Sequence, residues 1–141
     1  MTIYNLQLTI MPLATSHQPM NIQQYFDFCL SQKAVTEHFP FDEDTLVFKV
    51  GGKMFALSSL KEWEAGNPSI NLKGEPDRNA EMCAAYDGIN PGYHMNKVHW
   101  VTVAVNQDVP DKFIRELIAA SYQLVFKSLT KKIQAEINGG A

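Results

Sequence analysis

The sequence predicts an α+β fold in two layers, an antiparallel sheet with helices packed on one of its faces. Three observations predict it. Alternating apolar residues flank a Gly51-Gly52 pair, which is a β-hairpin signature. Apolar residues recur at helical spacing in three separate stretches. The order of all these segments, α-β-β-β-α-β-β-α, groups strands into hairpins and lacks the strict alternation that builds a parallel sheet. A chain of 141 residues, 45% hydrophobic with 8 Phe, 5 Tyr and 2 Trp, is long enough to bury one core and too short for two ordinary domains.

The elements follow in order. Asn21 is a good helix cap with Gln24 three residues on, a capping box, and Met20 is placed to staple onto Tyr25. The single domain is therefore expected over residues 20–138, beginning at Met20. Residues 1–19 are left as an arm, a partner-binding strand, or translation from an upstream start. Ile22, Tyr25, Phe26, Cys29 and Leu30 form the stripe of a first helix running to about Lys33, followed by a Pro-containing loop.

Thr45 to Val50 and Lys53 to Leu57 alternate around the two glycines, whose tolerance of positive φ suits a primed turn. Straight pairing from Val50 and Lys53 sets Phe48 opposite Phe55 and Leu46 opposite Leu57 on the core face. Val47, Lys49, Met54 and Ala56 then fall on the other face. Ser69 to Lys73 is a third strand with Ile70 and Leu72 inward, Asn71 and Lys73 outward. Pro76 opens a second helix carrying Met82, Cys83 and Tyr86, with Gly88 as its stop. An Asn90-Pro91-Gly92 turn leads to a short segment at Tyr93 to Met95 and a strand from Trp100 to Val105. Pro110 and Asp111 start a long helix with the stripe Phe113, Ile114, Leu117, Ile118, Leu124 and Val125. Thr130 caps a last turn of helix with Ile133 and Ile137. Helices on one side leave the other sheet face open, where a binding surface can form.

Lys and Arg total 12 against 15 Asp and Glu, a net charge of -3, so bulk charge counts against nucleic acid and any such contact must come from a local patch. Every apolar run is far shorter than the ~20 residues of a membrane span. Cys29 and Cys83 fall on apolar helix faces, consistent with reduced thiols and a cytoplasmic chain. No phosphate loop, dinucleotide fingerprint, zinc-spaced cysteines or nucleophile elbow is present, and Gly51-Gly52-Lys53 is read as a hairpin turn. Asp42-Glu43-Asp44 is read as a solvated turn in preference to a cation site. No catalytic residue, metal or cofactor is expected.

The densest polar and aromatic cluster is Tyr93-His-Met-Asn-Lys-Val-His-Trp100. Lys97 and His99 offer donors to phosphate or base edges, Asn96 both donor and acceptor, and Tyr93 and Trp100 rings for stacking. The competing reading has His94, Asn96 and His99 capping strand ends and Trp100 in the core. Lys49 and Lys53 on the hairpin, with Lys73 and Arg78 near the second helix, extend the cluster into a basic track if the fold brings them together.

The blocks Phe39-Pro-Phe-Asp-Glu-Asp-Thr-Leu-Val-Phe-Lys49, Gly51-Gly-Lys-Met-Phe-Ala56, Ile70-Asn-Leu-Lys73 and Gly92-Tyr-His-Met-Asn-Lys-Val-His-Trp100, with Ala120-Ser-Tyr122 in the closing helix, resemble the MmcQ/YjbR-like family from about Met20 to Ile137. The resemblance implies an architecture similar to the frataxin-like (CyaY-like) and secretion-chaperone-like folds. It also implies binding of double-stranded DNA by a double-wing arrangement. Carried over by position, it marks Lys73, His94, Asn96, Lys97, His99 and Trp100. Glu75 departs from the neutral cap of relatives and weakens a phosphate-binding helix start. DNA binding is thus the leading expectation. The alternatives are a chaperone-like module, possible as a homodimer or with a protein partner on the open sheet face, and a small-molecule or metal binder using His94, His99 and Asp42 to Asp44.

Overall fold

The computed structural model describes residues 19–92 and 95–139. Its elements are α1 (Ile22–Leu30), β1 (Val35–His38), β2 (Thr45–Val50), β3 (Lys53–Ser59), α2 (Leu60–Glu64), β4 (Ser69–Lys73), α3 (Pro76–Ala85), β5 (Ile89–Pro91), β6 (Trp100–Ala104), α4 (Asp111–Ser128) and α5 (Lys131–Gly139). The strands form one antiparallel sheet in the order β1-β2-β3-β4-β6-β5. The α+β class expected from the sequence is the class observed.

The capping box forms as expected. Asn21 Oδ1 accepts from the Gln24 amide at 2.8 Å and Gln24 Oε1 accepts from the Asn21 amide at 2.9 Å. Ahead of it, the Met20 amide donates to Asn106 Oδ1 at 2.7 Å and the Asn106 side chain donates back to the Met20 carbonyl at 3.0 Å. The start of α1 is thereby tied to the end of β6. The helix ends at Leu30, earlier than the stripe suggested, and Ala34 at φ 61 turns the chain into β1.

Three elements differ from expectation. β1 occupies what reads as a loop, because its four residues VTEH lack an apolar alternation. α2 is a single capped turn, with Ser59 Oγ accepting from the Glu62 amide at 3.3 Å. Ile89–Pro91 pairs with β6 where a turn was expected. The segment expected at Tyr93 lies, for Tyr93 and His94, outside the described residues.

The hairpin register carries the main correction. Val50 pairs with Lys53 and Lys49 with Met54, but Phe48 pairs with Ala56 and Val47 with Leu57, so Phe55 is an extra residue in β3. This bulge puts Phe55 and Ala56 both in the large core and turns Leu57 to the other face, with Val47. The expected pairs Phe48 with Phe55 and Leu46 with Leu57 do not form, since strict alternation cannot register an inserted residue.

The large core lies between the sheet and the helices. Tyr25 packs edge-on to Phe48 at 5.7 Å and stacks on Trp63 at 5.5 Å, while Phe55 meets Tyr122 edge-on at 5.4 Å. Burial of the Tyr25 and Cys29 side chains, one helical turn apart, raises both pKa values, that of the Cys29 thiol to about 12. From α4, the buried Ser121 hydroxyl donates to the Phe55 carbonyl at 2.5 Å and accepts from the Lys73 amide at 2.9 Å. It joins β3 and β4 one residue beyond their paired Ala56 and Leu72. At the hairpin tip, Gly51 has φ 58 and a Cβ there would lie 2.6 Å from Leu129 Cδ1, so both backbone and packing require glycine.

Candidate nucleic-acid interface

The open face is built by strand parity. Leu46, Phe48 and Val50 enter the helix-covered core, so Thr45, Val47 and Lys49 face the other way. Likewise Ile70 and Leu72 are covered, and Ser69, Asn71 and Lys73 are not. On β6 Val101 and Val103 are covered, leaving Trp100, Thr102 and Ala104 open.

A second small apolar cluster of Val47, Leu57 and Trp100, with Met54 and Met95 against it, sits in the middle of this open face. Trp100 is only 9% exposed there. Its ring is spent on packing and is withdrawn from the base-stacking role the sequence offered it.

Lys49 and Lys73 share one end of this face. They flank β3, two strand spacings or about 10 Å apart. Lys73 pairs with Trp100, which puts the loop carrying Lys97 and His99 beside it. That loop is locked. Asn96 Oδ1 accepts from the Val98 amide at 2.9 Å and the His99 amide at 3.2 Å, and the Trp100 amide donates to the Asn96 carbonyl at 2.9 Å. The Gly74 amide then donates to the His99 carbonyl at 2.9 Å, and buried Asn79 donates through Nδ2 to the carbonyls of Gly74 at 3.0 Å and Val98 at 3.1 Å. Asn96 is thus the organiser of the turn, and Lys97 and His99 are displayed on it, both exposed.

Two expected members of the track lie elsewhere. Lys53 pairs with Val50, so parity puts it at the margin of the covered side. Arg78 turns to α4, its guanidinium 5.8 Å from the centre of the Phe113 ring. Glu75 stands at the start of α3 and makes no side-chain capping bond. His94 lies outside the described residues.

The opposite end of the open face is acidic and amide-rich. A groove of about 780 Å³ opens there, lined by Phe41, Asp44, Ser59, Glu62, Asn71 and Asn90 among others. Two of the acids expected as a solvated turn also accept hydrogen bonds. Asp42 accepts from the amides of Asp44 at 2.9 Å and Thr45 at 2.6 Å, which holds its pKa below the usual carboxylate value. Asp44 accepts from the Ser59 hydroxyl at 2.6 Å and the Lys61 amide at 2.8 Å. Sequence reasoning passed over Phe41, Asn71 and Asn90. The outward parity of Asn71 was its available signal.

A family model named YjbR matches residues 30–124, a span that contains the whole sheet and every candidate residue. The chain belongs to the YjbR family. It is similar to the uncharacterized protein YbdF of Escherichia coli O157:H7, 40% identical over 102 residues, covering 72% of this chain and 81% of that protein. It is also similar to the uncharacterized protein YjbR of Escherichia coli K12, 30% identical over 104 residues, covering 74% of this chain and 86% of that one. Among solved structures, a Deinococcus radiodurans protein with a domain named DUF419 superposes with a TM-score of 0.76 at 37% identity, covering 84% of this chain and 88% of its own. A Pseudomonas syringae protein superposes with a TM-score of 0.63 at 29% identity, covering 75% and 99%. These YjbR relatives are named as uncharacterized, so membership speaks for the fold and leaves the activity to the geometry of the open face. No helix among the described residues is long and apolar enough to cross a membrane.

Proposed function

We propose that this YjbR-family protein binds DNA through the phosphate backbone, using the end of the open sheet face that carries Lys49, Lys73, Lys97 and His99. The observation that supports this most is segregation. On a chain of net charge -3, Lys49 and Lys73 share one end of the open face with a loop that displays two further basic residues, while Asp44 and Glu62 line the groove at the other end. Phosphate affinity depends on local cations and counterion release, so a patch of this kind supports binding that the average charge would oppose.

The test is fluorescence anisotropy with labelled DNA across a salt series. Binding is expected to weaken steeply with salt, and the Lys49→Ala, Lys73→Ala double variant to bind more weakly, its slope against log salt shallower by about 2. An absence of binding at low salt, or a slope the double variant leaves unchanged, defeats the proposal.

A further inference from the structure

The groove at the other end of the open face has a chemistry that phosphate contacts do not explain. Its rim holds Phe41, 63% exposed, a large aromatic ring with no packing role in the two apolar clusters. Its lining includes two amides. Asn71 Oδ1 accepts from Thr102 Oγ1 at 2.6 Å, and no described residue accepts from its NH2 group. Asn90 donates to the Asp87 carbonyl at a long 3.3 Å, and its Oδ1 accepts from no described residue. Asn71 and Asn90 sit on β4 and β5, either side of Thr102 on β6, and both line the groove. The site therefore presents an amide donor, an amide acceptor and a flat apolar platform around one space. That is the set of contacts by which proteins hold the edge and face of a nucleobase.

We propose that the groove receives one unpaired base of a nucleic acid whose phosphates lie on the lysine end. This inference rests on the DNA-binding reading above and makes it specific to unpaired strands. Charge supports the orientation. Asn71 and Lys73 share a face two residues apart on one strand, about 7 Å, so a nucleotide with its phosphate at Lys73 has its base directed to Asn71. Asp44 and Glu62 repel a phosphate from the groove itself and leave the uncharged base as its fitting occupant. The groove's volume lies within the 300 to 1,000 Å³ range of small-molecule sites, room for a base and its sugar.

The experiment compares three labelled DNA probes at one low salt concentration: a single strand, the same strand with one abasic position at its centre, and its full duplex. The single strand is expected to bind at least roughly 10-fold more tightly than the duplex, and Phe41→Ala to weaken it roughly 5- to 150-fold, the range of one base stack. Asn71→Leu should weaken it as well, with circular dichroism confirming the fold. Neither substitution should alter duplex affinity or the salt slope, while Lys73→Ala lowers binding of all three probes. Lys73→Ala acting alone, with Phe41→Ala and the abasic probe without effect, overturns the base site and leaves the phosphate reading standing. No binding of any probe defeats both.

Discussion

The two faces of the sheet are built from alternate residues of the same strands, yet they do different work. The covered face joins Tyr25, Cys29, Phe48, Phe55, Ile70, Val103 and Ile114 in one continuous core against the helices. Among the described residues the open face has Val47, Leu57 and Trp100 as a buried cluster, with lysines at one end and an amide-lined groove at the other. A small cluster suffices on the open face, because the covered side carries the main core. The difference teaches that parity separates the helix-packed core from the polar surface, one residue apart along each strand.

The separation can be tested by removal. Phe48→Ala should cost about 3 to 5 kcal/mol in urea melts, since its ring is fully buried among Tyr25, Phe26 and Phe55. Leu57→Ala should cost about 2 kcal/mol or less, at the low end for such truncations, because the vacated space opens to the groove. Equal losses would break the contrast.

On the covered side, alkaline pH tests the burial of Cys29. An acid whose pKa is raised on folding contributes stability that is fully present below its unfolded value and lost as pH rises through the folded one. For Cys29 the window runs from about 9 to about 12, and the loss is up to about 4 kcal/mol. Cys29→Ala should reduce the loss of stability over that range, leaving the part due to buried Tyr25, and an unchanged profile would contradict a buried, neutral thiol.

Ser121→Ala links the faces. It leaves the Phe55 carbonyl and the Lys73 amide without their partner, with an expected cost of about 1 to 3 kcal/mol. The amide is that of a candidate phosphate-binding residue, so DNA affinity measured under folding conditions should fall too. A loss of stability with no change in affinity would separate the two roles.

The smallest effect belongs to Asp42. Its lowered pKa means its contribution is present above the ordinary carboxylate value and lost as pH falls through the folded value. Asp42→Asn should remove only a slight acid-side dependence, because the group is fully exposed. A large shift would mean the turn matters more than its solvation suggests.

Much of this fold was legible in the sequence because its signals are periodic. The stripe of α4, the glycines of the hairpin and the outward positions of Asn71 and Lys73 all follow from spacing. What was not legible depends on single departures from period. The bulge at Phe55 reassigned Leu57, and four residues of β1 were too short and polar to declare themselves. The candidate site divides the same way. Lys49 and Lys73 could be matched by parity, whereas the turning of Arg78 to Phe113, the withdrawal of Trp100 and the groove around Phe41 depend on packing between elements distant in sequence.

The extra residue in β3 works as a phase change within a written line. Before it, even and odd positions mean one thing; after it they exchange meanings, and Ala56, Leu57 and Ser58 are read in the new frame. Pairing the same strand straight, with no residue left over, would leave composition untouched and move Leu57 into the covered layer and Ala56 out of it, whereas deleting Phe55 would keep Ala56 opposite Phe48 and Leu57 opposite Val47. Loops in such a protein can absorb a change of register, but here register itself decides which side of the molecule a side chain serves.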